Sequence, residues 1–162
     1  MTETASAVAG STTAAAPVRQ TYILFLVAGT TYAVRSHEVL HMEMLEHVTP
    51  VPNAPACVEG VVFSRGQVVP VVNLRARFGF ERLELDLRSR LLVVQSQGRQ
   101  IGLLADEARE FITLDEAAIQ PPNDAIGGLS GNYLEGVATI GNRIVLMLNI
   151  REVVENVPTA AA

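Results

Sequence analysis

The chain of 162 residues is 49% apolar, with five Phe, three Tyr and no Trp, so any core must be aliphatic and fits one domain or two small intimate ones. A formal net charge of −5 and a pI of about 5.2 argue against nucleic acid, whose phosphates need a basic face. All twelve basic residues are Arg; the lack of Lys excludes Schiff-base chemistry and the phosphate-binding lysines of Walker and kinase sites.

Residues 1–18 are largely Ala, Ser and Thr and read as a disordered tail, with the folded domain over 19–157. No positive charge precedes Arg19 and there is no continuous apolar run, so the tail is not a secretory signal. No stretch approaches the ~20 apolar residues that insert into a bilayer. Strands are predicted over 22–27 and 31–35 about a turn at Ala28-Gly29-Thr30, then a short helical turn over 36–39 and a third strand over 40–48. Three prolines make 49–57 an extended loop. Within it Cys57 is the single cysteine, which permits no disulfide, suggests a reducing compartment and suits a small buried apolar residue.

Residues 59–75 form the most informative stretch. Two β-branched runs, 61–63 and 68–72, flank Ser64-Arg65-Gly66-Gln67, a hairpin pattern with a Gly free to take positive φ and a charged tip. A short helix over 73–78 stops at Gly79. Arg75, Arg77, Arg82, Arg88 and Arg90 cluster here, but Glu81, Glu84 and Asp86 interleave with them, as in a mixed solvated loop.

The plan then repeats. Strands are predicted over 90–96 and 99–104 about Gln97-Gly98, a turn over 105–108, a strand over 109–114, a long loop over 114–132, a second hairpin and a terminal helix over 149–156. Residues 59–75 and 135–151 align without a gap, with Glu59/Glu135, Gly60/Gly136, Val61/Val137, Asn73/Asn149 and Arg75/Arg151 in place. Gly29 matches Gly98, and His37-Glu38-Val39 matches Asp106-Glu107-Ala108. Arg65 is a point of difference, since Gly141 stands there in the second copy. Five short strands per copy predict two small β-barrels, the first over about 36–80 plus exchanged strands and the second over about 90–148, sharing an interface.

One motif points elsewhere. His37-Glu38-Val39-Leu40-His41 matches the zinc-protease pattern H-E-x-x-H, with His47 at the third position of its longer form. The chemistry would need two imidazoles on one helical face and Glu38 as general base. Met44 replaces the turning glycine, the repeat makes 36–39 a turn, and a strand over 40–48 would hold His41 and His47 about 20 Å apart. Metal binding is therefore not expected, and a zinc peptidase is the rival reading. Ser64 is not in a G-x-S-x-G elbow, and Asp106, Glu107 and Glu110 suit a solvated surface.

The pattern Pro52-x-x-Pro55-x-x-x-Glu59-Gly60-Val61-x-x-x-Arg65-Gly66-x-Val68-Val69-Pro70-Val71-Val72-x-Leu74-Arg75 resembles the signature of the CheW family of chemotaxis coupling proteins. The resemblance continues through 101–106, 133–137 and 145–150, covering about residues 20 to 156. It implies two intertwined SH3-like five-stranded barrels with short helices, and a non-enzymatic cytoplasmic adaptor without cofactor. Such adaptors bridge the cytoplasmic tips of methyl-accepting chemoreceptors to a CheA-type histidine kinase in membrane arrays. By position, Gly60, Arg65 and Gly66 match the coupling hairpin of the kinase-facing first barrel. Val39 matches an apolar residue of the receptor-facing groove between the barrels, with His41 beside it. The chain departs from the family at Phe63 and Ser64, where Asn and Leu are usual, at Asn73, where Asp is usual, and at His41, often an acid. These departures suggest a divergent paralogue; a scaffold in motility or gene regulation is a further alternative. The length leaves no room for an appended receiver or kinase domain, so a stand-alone module is expected.

Overall fold

The computed structural model describes residues 18–122 and 133–157; of the tail expected over 1–18, residues 1–17 lie outside the described residues, as does the part of the long loop after Pro122. The chain is mainly β. Strands β1 (Arg19–Val27) and β2 (Thr30–Arg35) form a hairpin, followed by a 3-10 turn at Ser36–Glu38 and β3 (Val39–Met44). Then come β4 (Val58–Ser64), β5 (Gln67–Asn73) and helix α1 (Leu74–Arg77). The second half contributes β6 (Arg90–Ser96), β7 (Arg99–Ala105), β8 (Glu107–Asp115), a 3-10 turn at Glu116–Ala118, β9 (Ile119–Gln120), β10 (Leu134–Ile140), β11 (Arg143–Leu148) and helix α2 (Ile150–Val153).

The strands make two sheets, ordered β3-β6-β7-β5-β4 and β8-β1-β2-β11-β10-β9. Each sheet therefore holds the first hairpin of one repeat and the last three principal strands of the other. Parallel pairs β5–β7 and β2–β11 make the joins. Strands over 90–105, expected in the second barrel, thus stand in the first sheet with β3, β4 and β5. The reason is connectivity: a period-2 pattern says which face a strand buries, not which sheet it joins.

The repeat extends to the irregularities. Val39 and His41 pair with Val94 and Val93, skipping Leu40, just as Ala108 and Glu110 pair with Phe25 and Leu24, skipping Arg109. Val58 and Gly60 pair with Val72 and Val71, and Leu134 and Gly136 pair with Leu148 and Met147 in the same manner. Each helix is capped alike: the Asn73 carboxamide accepts from the Ala76 N–H, and the Asn149 carboxamide from the Glu152 N–H.

Alternation sorts the apolar side chains into three cores. Val62, Val69, Val71, Leu91 and Val93 fill the inner face of the first sheet, and Tyr22, Leu24, Ala33, Val145 and Met147 that of the second. Between the sheets lies a larger core that includes Phe25, Val34, Val72, Leu74, Leu92, Val94, Leu103 and Leu148. This shared core explains why neither unit has to stand alone, since small units bury too little surface by themselves.

Four local expectations are corrected. The third strand ends at Met44 rather than running to 48, because Leu45 turns into the inner core and Thr49 pairs with Val61. The turn expected over 105–108 shrinks to a single bend at Asp106 between β7 and β8, with the Asp106 N–H bonded to Leu26 O. The loop expected from 114 begins later, since Leu114 and Asp115 belong to β8 and β9 pairs with β10. The terminal helix covers only Ile150–Val153, and Arg77 donates to the carbonyls of Val153 and Glu155 beyond it.

Candidate interaction site

The tip of the β4–β5 hairpin is a two-residue turn. Arg65 has φ 47° and Gly66 φ 84°, both left-handed as a type I′ turn requires, so Ser64 pairs directly with Gln67. Ala28-Gly29 and Gln97-Gly98 turn the same way, so the backbone at Arg65 is ordinary for this fold. Its side chain is what differs. Arg65 is exposed and has no side-chain partner among the described residues. It does not tie down its own hairpin.

Gly60 has a different place. It is buried in β4 with φ 148°, and an added Cβ would lie 2.1 Å from the Thr49 carbonyl oxygen. That contact is part of the Thr49–Val61 bridge, with N···O distances of 2.8 and 2.9 Å. Gly60 therefore lets two backbones approach and offers no surface, whereas Gly66 faces open space.

Beneath the tip is a polar cluster that pattern reading missed. His41 Nε2 lies 3.0 Å from Ser64 Oγ, and that hydroxyl donates to Glu43 Oε2 at 2.8 Å. Glu43 Oε2 is also 2.9 Å from His41 Nε2. Ser64 is 4% exposed, and the His41 side chain 9%. These bonds join β3 to β4, the two edge strands of the first sheet, and so close that sheet on itself. In the second sheet Glu110, the counterpart of His41, accepts from Arg143 at 2.9 Å and so ties edge strand β8 to β11. The cluster is a lock, not a catalytic triad: one imidazole nitrogen faces both partners, and the serine proton points to the carboxylate rather than to the base. The departures at His41 and Ser64 were the available signal, but the bulge that brings them together is invisible to alternation.

Val39 and His41 do not share a surface. Val39 packs with Met42 against the core between the sheets, while His41 turns to the other side. Near Val39, Arg35 bridges Glu135 and approaches Glu38 at 3.8 Å. That approach is too long for a hydrogen bond, and Glu38 Oε1 is buried without a partner. Burial pushes the Glu38 carboxyl above its ordinary value, opposed by Arg35 and reinforced by Glu135. Burial likewise raises the Tyr22 phenol.

The H-E-x-x-H residues are split between a 3-10 turn and a strand rather than lying on one helix. His37 Nδ1 meets Gln20 Nε2 at 3.2 Å, His41 is engaged in the lock, and His47 is exposed. Among the described residues no group of three His, Cys, Asp or Glu side chains is placed to hold a metal ion.

Two sheets that exchange hairpins and share a core, with an exposed cationic turn at the tip of β4–β5, define a two-unit, mainly β fold. The chain belongs to the CheW family: the family model described as CheW-like domain matches residues 21–157. It is 31% identical over 131 residues to Chemotaxis protein CheW of Rhizobium meliloti (strain 1021), covering 81% of this chain and 84% of that one. It is 25% identical over 153 residues to Chemotaxis protein CheW of Klebsiella aerogenes, covering 94% and 89%. Its fold matches the crystal structure of the scaffolding protein TtCheW from Thermoanaerobacter tengcongensis with a TM-score of 0.79 and 25% identity, over 85% of this chain and 94% of that one. The protein is a chemotaxis coupling adaptor and not an enzyme. No helix among the described residues is long and apolar enough to cross a membrane.

Proposed function

We propose that this adaptor holds a CheA-type histidine kinase on the β4–β5 hairpin and the cytoplasmic tip of a methyl-accepting chemoreceptor in the groove beside Val39. The observation that carries the reading is Arg65, a guanidinium at the apex of a two-residue turn with no partner among the described residues. A planar five-donor fork suits carboxylates or carbonyls of a partner surface. Gly66 permits the turn, Gly60 seats the hairpin, and the His41–Ser64 lock orients it; these act through the backbone rather than by touch. Val39 contributes apolar surface for a helical hairpin tip. Recruitment to membrane receptor arrays follows from these two contacts.

Reconstitution with a receptor tip and a kinase tests this. Arg65→Glu should weaken kinase retention at least tenfold while the melting temperature stays put. Val39→Thr, a change of one methyl for a hydroxyl, should weaken receptor retention and spare the kinase. A kinase pulldown indifferent to the Arg65 change removes the hairpin from the site.

A further inference from the structure

The hairpin tip carries an apolar ridge that the fold does not need. Phe63 and Val68 are directly paired across β4 and β5 and are 75% and 49% exposed. Their neighbours Val62 and Val69 point into the first sheet's inner core, so Phe63 and Val68 lie on the opposite face. Closer to the base of the hairpin, Val58 and Val72 pair and belong to the core shared with the second sheet. Near the tip nothing covers the ridge. The second repeat has Thr139 opposite Ile144 and Gly141 in the turn, and the Arg143 beside that turn is held by Glu110, so it presents neither an aromatic nor an unpaired cation there. An aromatic placed outside the core contributes little to the sheet and much to a contact, because aromatics beside Arg dominate interface energetics.

From the coincidence of this ridge with the unpartnered Arg65, we infer that Phe63 and Val68 select the kinase, inserting into an apolar socket that carries a carboxylate on its rim. The inference rests on the hairpin being the kinase contact. The charge pattern commits the occupant: the turn between the paired residues presents one free cation, so the complementary surface is apolar at its centre and acidic at its edge. Phe63 then sets which kinase is accepted, and Arg65 sets register and encounter rate. A socket shaped for a small polar residue would exclude Phe63, which makes the same side chain a barrier to the wrong partner.

The test is isothermal titration of the full chain into a full-length CheA-type kinase from the same organism, at several temperatures and salt concentrations. Phe63→Thr copies the second repeat and keeps a strand-forming residue; Val68→Thr is the companion change. Each should weaken kinase binding, the Phe63 change at least tenfold, with a smaller negative heat-capacity change and no loss of melting temperature. Receptor-tip affinity should not move. Arg65→Glu should weaken binding with a reduced salt dependence. If Phe63→Thr leaves kinase affinity and heat capacity unchanged while Arg65→Glu weakens binding, the socket is wrong and the coupling reading survives. If Arg65→Glu is also neutral, the hairpin is not the contact and both fall. Sedimentation showing a dimer that Phe63→Thr dissociates would assign the ridge to a second copy of this chain and overturn the inference.

Discussion

Val39 and His41 stand two residues apart on one strand and face opposite sides of it. Leu40 is bulged out, so the two residues pair with Val94 and Val93, which are consecutive on β6. In an unbroken strand they would point the same way. The bulge sends the two side chains apart: Val39 reaches the core between the sheets, and His41 reaches Ser64. A change at His41 should therefore act on the hairpin tip and not on the surroundings of Val39.

Ser64→Ala tests the lock. It removes a hydroxyl that meets both His41 and Glu43 and leaves their polar atoms without that partner at a largely buried position. The expected cost is about 1–3 kcal/mol in urea unfolding. Ser64→Ala should also loosen Arg65, so kinase affinity should fall with receptor affinity unchanged. An unaltered urea midpoint would show that the His41–Glu43 contact closes the sheet without the serine.

Gly60 and Gly66 separate a fold requirement from a surface one. Gly60→Ala drives a methyl against the Thr49 carbonyl at φ 148°, so it should unfold the domain or cost more than about 2 kcal/mol. Gly66→Ala meets nothing within 4 Å and pays only for its left-handed φ of 84°, about 1 kcal/mol. Thermal melts of the two variants should differ widely. Equal melts would mean that the Thr49–Val61 bridge is dispensable.

Much of this fold is legible in the chain because its repeat is conspicuous. Glu59-Gly60-Val61 and Glu135-Gly136-Val137 mark equivalent bulges, and Asn73 and Asn149 announce equivalent helix caps. The strand exchange is not legible. Val71 and Val72 alternate faces identically whether β5 lies beside β7 or beside another strand; the parallel pairing to Gly102 and Leu103 is decided by the shared core. The lock is hidden for a similar reason. His41 and Ser64 are far apart in sequence, and only a bulge and a curled sheet bring them together. Arg65 was legible as a tip residue, because a positive-φ Gly beside it fixes where the hairpin must turn.

Arg75 and Asp106 join the two halves of the chain. Arg75 Nε donates to both carboxylate oxygens at 2.9 and 3.0 Å, Nη2 donates to Oδ2 at 2.8 Å, and the same Oδ2 accepts from the Ala28 N–H at 2.8 Å. The hydrogen bonds to Asp106 raise the Arg75 guanidinium above its ordinary value. Asp106→Asn keeps the shape but removes the charge, and should cost about 1.5–3 kcal/mol because a charge-assisted fork is lost. In a double-mutant cycle with Arg75→Met the two effects should be strongly non-additive. Additive effects would mean that the pair is screened and that the Ala28 hydrogen bond alone matters.

Glu38 gives the protein a pH dependence of definite sign. Burial raises its carboxyl in the folded state, so folding favours the protonated form. The associated stability is fully present below the unfolded-state value, close to 4.5, and is lost as pH rises through the raised folded-state value. At neutral pH the charged Glu38 is thus a burden, since Arg35 is held by Glu135 and reaches Glu38 only at 3.8 Å. Glu38→Gln should raise the melting temperature at pH 7, and the gain should shrink and vanish as the pH falls below about 4, near the ordinary carboxylate value. Melts across that range decide it: a Gln variant less stable than the parent at pH 7 would mean that Arg35 compensates the buried carboxylate in full.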